Sequence, residues 1–250
     1  MELTVFATLL AIMVVGAGMQ RITGLGFALV ASPFFVLLLD PISGVFLVNV
    51  CGVVVSAALT VRSLAQVEWR RWAILAASAI LGIIPGALLL IVLPVAWLDI
   101  LVGALIIAGL ISSLVVRSRL SPDHVPPLVA AGALSGVMNV TAGVGGPPLG
   151  IYGVLTRWDH RSFAATMQPV FLTIGSMSLA AKLWLSPGGI PGLDIWMWVA
   201  VAAACLAGMV IGELLSRVVT PRVARSLLVA LALVGAGTVL VRGILLLIGL

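Results

Sequence analysis

Gln20, Arg21 and Thr23 stand with Gly24 and Gly26 inside an otherwise apolar stretch, residues 16–34, and Asn139 and Thr141 stand with Gly143, Gly145 and Gly146 inside another. These are hydrogen-bond donors set among residues that let the backbone turn sharply and a ligand approach it. A guanidinium with no water around it and no acid near it in sequence calls for a partner. The plainer placing of Arg21 is a tight turn at a membrane surface. The sharper one is a broken helix inside the protein, where Arg21 holds an anion. Catalysis has less to work with. His124 and His160 fall in polar connections, and no apolar stretch carries a close carboxylate pair. Neither a hydrolytic dyad nor a metal cluster can then be assembled at membrane depth, so no enzyme, metal site or cofactor is expected.

The elements that hold these groups are membrane helices. Of 250 residues 62% are hydrophobic and 8% charged, and the mean hydropathy is +1.32, far from a soluble globular composition. The apolar runs are long and continuous, which excludes a β-barrel. The net charge of +5 therefore speaks of topology and not of nucleic acid. Cys51 and Cys205 lie in apolar runs as small packing residues, and no disulfide is expected. The N-terminus lacks the positive region of a secretory signal, so the first apolar run is expected to be retained.

Crossing about 30 Å of hydrocarbon takes roughly 20 helical residues. Runs of that length lie near 43–63, 72–93, 97–117, 162–185, 195–216 and 224–244. Residues 4–39 are too long for one span and are interrupted at 16–26, and residues 126–156 are interrupted at 139–148. The two interrupted regions correspond: an offset of 119 places Met19, Gln20, Gly24 and Gly26 on Met138, Asn139, Gly143 and Gly145, and Asn49 on Gln168. An offset of 126 places Gly82, Gly86 and Gly109 on Gly208, Gly212 and Gly235. In order and with one small gap, these matches indicate a duplicated half. They divide the chain into a first repeat at 1–116, a cytoplasmic linker at 117–125 and a second repeat at 126–250.

Charge chooses how the interrupted regions cross. If each is a pair of segments entering and leaving on one side, a single face collects Arg62, Arg70, Arg71, Arg117, Arg119, Arg157, Arg161, Arg217, Arg222 and Arg225, and the other keeps Lys182 and Arg242. Counting each region as one crossing splits the same cations seven to five. The bias selects the paired reading, with the arginine-rich face cytoplasmic and both termini periplasmic. Each half then makes an odd number of crossings, so the halves are inverted. The expected fold is an all-α polytopic membrane protein of two inverted repeats, each a re-entrant or short paired helix hairpin plus three transmembrane helices, with first-hairpin arms of about 3–18 and 27–39. Secondary transporters of that architecture bind substrate near the midplane at the repeat interface.

At such a tip the freed amides need partners, and Pro147 and Pro148 suit the first turn of a following helix. Helix N-termini, backbone N–H groups and the planar fork of Arg21 fit a sulfonate, sulfite or carboxylate. Gln20, Thr23, Asn139 and Thr141 would add neutral donors around the backbone of Gly24, Gly26, Gly143, Gly145 and Gly146, with Asn49 and Gln168 at equivalent depths. The expected substrate-binding set is those twelve residues. Glu213 reads as an i,i+4 partner of Arg217, Asp99 as a solvated residue near the outer surface, and Trp69, Trp72, Trp97, Trp196 and Trp198 as interface anchors.

Residues Thr23-Gly-Leu-Gly-Phe-Ala-Leu-Val-Ala-Ser-Pro33 and Gly132 to Pro148 resemble the two glycine-rich signatures of the TauE/SafE, sulfite-exporter-like family, also called the toluene sulfonate uptake permease group. The resemblance covers the whole chain, although Leu25 and Phe27 stand where that family often has glycine. It implies a bacterial inner-membrane transporter, often an exporter, of sulfur-containing anions such as sulfite or sulfoacetate. A coupling ion, H+ or Na+, and a homodimer are compatible with it, and an anion channel or a carboxylate carrier of the same architecture is the alternative.

Overall fold

The computed structural model describes residues 2–115, 125–185 and 190–249, so most of the expected linker, with Arg117, Arg119 and His124, lies outside the described residues. Ten α-helices follow in order: α1 (Leu3–Thr23), α2 (Gly26–Leu38), α3 (Pro41–Ser63), α4 (Trp69–Val92), α5 (Val95–Val115), α6 (Val125–Ala142), α7 (Gly146–Leu155), α8 (His160–Leu185), α9 (Ile195–Leu215) and α10 (Pro221–Leu247). Eight are long and apolar enough to cross a membrane; α2 and α7 are the short ones. The protein is thus an all-helical, multi-pass membrane protein. Large apolar side chains such as Leu81, Ile84, Trp184, Trp196 and Val210 stay exposed, as expected of a surface whose solvent is lipid.

The first interrupted region breaks later than its glycines suggest. Helix α1 runs unbroken through Gly16 and Gly18 to Thr23, about 32 Å at 1.5 Å per residue, in place of a short arm ending near residue 18. Tight packing explains the continuity. A Cβ at Gly16 would press on the Phe27 ring at 3.1 Å, and one at Gly18 would meet the Gly208 carbonyl at 3.3 Å. The break is confined to Gly24 and Leu25, and in the second region to Gly143–Gly145. Each region is therefore a long helix followed by a short return helix, α2 or α7.

Glycines set which helices touch. On α4 and α6, added Cβ atoms at Gly82, Gly132 and Gly136 would overlap Ala133, Ser78 and Ala79 of the facing helix. On α1 and α9, Gly18 meets Gly208 and Gly212, whose own Cβ would collide with Val14 and Gly18. Small residues four apart let backbones approach and gain dispersion contacts where lipid supplies no hydrophobic drive. Gly109 of α5 packs on Pro147 of α7, and Gly235 of α10 packs on Pro33 of α2, with a built Cβ 2.6 and 2.7 Å from the ring. Glycines matched by the 126-residue offset thus do the same work in pairs.

Three apolar clusters surround these contacts. One joins α1, α2, α3 and α9 around Met13, Phe27, Phe35 and Leu47 and contains both cysteines. A second joins α4, α6, α7 and α8 around Leu75, Tyr152 and Met167. The third lies between α2, α5 and α10 and takes in Val144 from the second break.

Two ion pairs differ from the sequence expectation. Asp99 is fully buried, not solvated: Arg242 donates Nε to Oδ2 and Nη2 to Oδ1, each at 2.8 Å, and also donates to the carbonyls of Val36 (3.0 Å) and Leu37 (3.2 Å) at the end of α2. The guanidinium thereby satisfies carbonyls that a helix C-terminus leaves without partners while neutralising the carboxylate. Glu213 pairs with Arg21 of α1 and not with Arg217, because the close glycine contact of α1 and α9 brings their last turns together.

Candidate functional site

The two breaks meet. Gly24 (φ +83°) and Gly143 (φ +70°) adopt the left-handed conformation, and each closes its helix identically: Gly24 N–H donates to Gln20 O and Gly143 N–H to Asn139 O, both at 2.8 Å. That conformation is disfavoured for any residue with a Cβ. Gly24 lies beside Ala164 of α8, and a Cβ at Gly143 would press on Val48 of α3 at 2.9 Å. Each break therefore sits on a long helix from the other part of the chain. Ser32 of α2 donates to the Ala142 carbonyl at the end of α6, and Ser135 donates to Gly145 O at 2.7 Å, so carbonyls freed by the second break are held by side chains.

Between the breaks lies a cavity of about 30 Å³ lined by Gln20, Asn49, Ser56, Asn139, the Gly143–Gly146 backbone, Leu25, Phe27, Phe171 and Gly175, among others. That is room for a water or two. Both short helices begin at its wall, α2 at Leu25–Ala28 and α7 at Gly145–Gly146, and neither has a side-chain N-cap. Pro147 and Pro148 occupy the first turn of α7, where proline costs no hydrogen bond. Two helix N-termini, each with partial positive charge and no side-chain cap, thus converge on one small cavity.

The side chains around it form a nearly closed network. Gln20 Nε2 donates to Ser56 Oγ (3.4 Å) and Gln168 Oε1 (3.3 Å). Gln168 Nε2 donates to Ala164 O (3.0 Å) and Gly24 O (3.4 Å). Ser178 donates to Asn139 Oδ1 (2.9 Å). The exception is Asn49, 2% exposed, whose Nδ2 has no partner. A buried amide donor left unmade costs about 1–3 kcal/mol, so this position takes an acceptor from outside the protein, a water or a ligand.

Of the twelve expected residues, Gln20, Asn49, Asn139, Gly143, Gly145 and Gly146 line the cavity, and Gln168 and Gly24 bond directly to that group. Gly26 is wedged against Met19 and Thr23. Thr141 spends its hydroxyl on Val137 O, one turn back. Arg21 does not line the cavity: Glu213 holds its guanidinium, and both side chains are about a third exposed. Thr23 faces a second cavity of about 630 Å³, which Leu25 and Gly146 separate from the first and to which Arg157 and His160 contribute. Ser56, Ser178 and the wall residues Phe171 and Gly175 are absent from the set expected from sequence, and Leu25 stood out there only as a departure from glycine; the helical spacing of 171, 175 and 178 was the available signal.

This end of the molecule carries a second polar cluster. Glu68 N–H donates to Thr166 Oγ1 (2.9 Å), Trp158 Nε1 and Ser162 donate to the Glu68 carboxylate, and the Arg71 guanidinium lies 4.3 Å from the centre of the Trp158 ring. The connections after α3 and α7 are thereby tied at the same face, with Arg62, Arg70, Arg157 and Arg161 exposed around them. Trp158 is thus an internal strut of that face.

Helices long enough to span a bilayer, two of them followed by short partners that close around a small cavity, define a multi-pass membrane protein. Residues 8–239 match the family described as sulfite exporter TauE/SafE, and the chain belongs to that family. Searches among curated proteins and among solved structures return no significant match.

Proposed function

We propose that the protein is a secondary transporter, in the bacterial inner membrane, that exports a small sulfur-containing oxyanion, sulfite or an organosulfonate such as sulfoacetate. The anion is held between the two breaks by Asn49 Nδ2, the Gln20 and Asn139 amides and the backbone of Gly143–Gly146, facing the N-termini of α2 and α7. Gln168, Gly24, Gly26 and Thr141 shape the walls, and Arg21 and Thr23 lie on the cytoplasmic approach. The observation that carries this reading is the orphaned amide of Asn49 in a buried cavity to which both short helices turn their positive ends.

The larger cavity is the vestibule on the arginine-rich, cytoplasmic side, and Leu25 is the barrier between it and the site. A cavity of about 30 Å³ is too small for sulfite, so binding requires the walls to part, as a carrier's do. The equivalent duties of Gly24 and Gly143, of Gly82 with Gly86 and Gly208 with Gly212, and of Gly109 and Gly235 support two inverted repeats, 1–116 and 126–250, moving against each other with both termini periplasmic. Counterflow in proteoliposomes tests the reading: internal sulfite should drive uptake of labelled sulfite that saturates. Large single-channel currents would replace the carrier by a channel, and no flux of sulfite or sulfoacetate would refute the assignment.

A further inference from the structure

The cavity is lined by no charged side chain, although its proposed ligand is an anion. Twelve of the thirteen basic residues are arginines, and the single lysine of the chain, Lys182, lies in α8. It is 2% exposed, and its Nζ has no hydrogen-bond partner. A lysine in the last turn of a helix ordinarily bonds the terminal carbonyls or extends its ammonium to the interface. This one does neither. Nor does an acid offset it: among the described residues no carboxylate forms an ion pair with it; Asp99 is held by Arg242, Glu213 by Arg21 and Glu68 by Arg71, and Asp40 and Asp159 accept from backbone amides at the starts of α3 and α8.

Its position on α8 gives it a purpose. Phe171, Gly175, Ser178 and Lys182 follow at steps of four, three and four, one stripe of the helix. Phe171 and Gly175 line the cavity, and Ser178 donates to Asn139, which also lines it. Lys182 is the next residue up that stripe, toward the end opposite the arginine-rich face. Side chains of a helix tilt toward its N-terminus, which at this position is the direction of Ser178 and the cavity.

Resting on the anion-carrier reading, we propose that Lys182 is the cationic ligand of a second anion position, one helical turn outward of Asn49 and Asn139. Its ammonium receives the oxyanion from the central site and holds it before release on the outer side. The ligand class is a compact oxyanion, a sulfite or sulfonate group. The position asks for lysine rather than arginine because a compact ammonium on a flexible stem can follow a moving anion, where a guanidinium imposes a fixed fork.

The test uses the full chain purified in detergent, titrated with sulfite and with sulfoacetate. Lys182→Met should raise Kd at least tenfold, and Lys182→Gln should do the same, while the melting temperature without ligand stays level or rises because an unpaired buried charge has been removed. Wild-type affinity in Lys182→Met overturns the inference and leaves the Asn49 site standing. Failure of the wild type to bind either anion overturns the reading beneath it. Should neither variant be recovered folded, the wild type answers alone, since an amine-acylating reagent has one side chain to modify. In membrane vesicles sulfoacetate should slow acylation of Lys182 severalfold; an unchanged rate, or no acylation with or without the anion, overturns the proposal.

Discussion

Removing the carboxylate of Asp99 should cost the protein a large part of its stability without touching the cavity. Asp99 is fully buried and takes two 2.8 Å hydrogen bonds from Arg242, whose side chain is 29% exposed. Breaking one partner out of a buried pair costs about 3–5 kcal/mol, and partial access of water to the guanidinium puts Asp99→Ala near the lower figure. Arg242→Ala should cost more, toward the upper figure. It leaves a carboxylate sealed from water and strips the donors from Val36 O and Leu37 O. The double variant Asp99→Leu/Arg242→Met leaves no orphaned charge and should fall between wild type and either single change, losing about 1–2 kcal/mol for the two α2 carbonyls.

For a chain of this size 1 kcal/mol moves the midpoint by roughly 2–4 °C, so Asp99→Ala should lower it by about 6–12 °C. Cys51 and Cys205 are both fully buried, so a thiol-reactive fluorophore reports unfolding during a thermal ramp. Additive effects, with the double variant worse than both singles, would refute the claim that this pair anchors the end of α2. So would a loss below about 1 kcal/mol for Asp99→Ala, the range of an exposed pair.

Two further outcomes follow from packing and charge. Gly136→Ala places a methyl against the Ala79 backbone and should cost about 1–3 kcal/mol by overpacking. Gly237→Ala, where a Cβ meets open space, should be neutral or slightly stabilising; thermal ramps on both compare them. Arg21→Gln should shift the midpoint by less than about 4 °C, because its pair with Glu213 is about a third exposed and such pairs contribute about 1 kcal/mol or less. Sulfite affinity should stay within about twofold on titration, and a large loss would return Arg21 to the binding site itself.

The sequence carried the fold because membrane helices announce themselves by length and apolarity, and because two breaks with matched glycines stand out against that background. Gln20, Asn139 and Asn49 were legible for the same reason: a polar side chain in an apolar span has few bland explanations. Pairings across the chain were not legible. Arg21 finds its acid 192 residues later and Asp99 its base 143 residues later, separations that no local pattern encodes. Gly16 and Gly18 read as breaks because their partners, Phe27 and Gly208, are invisible to a scan along α1. Lys182 read as an outer-surface charge because it lies near a span end, and only burial reveals that it is sealed inside.

The central claim is that an amide without a partner, Asn49 Nδ2, waits for an anion between two broken helices. Calorimetric titration of wild type and Asn49→Leu with sulfite tests it most directly. Loss of one hydrogen bond to a charged ligand, about 1.5–3 kcal/mol, should weaken binding by roughly 10- to 150-fold, while the unliganded variant melts at or above the wild-type temperature. Unchanged affinity in a folded Asn49→Leu protein would contradict the account.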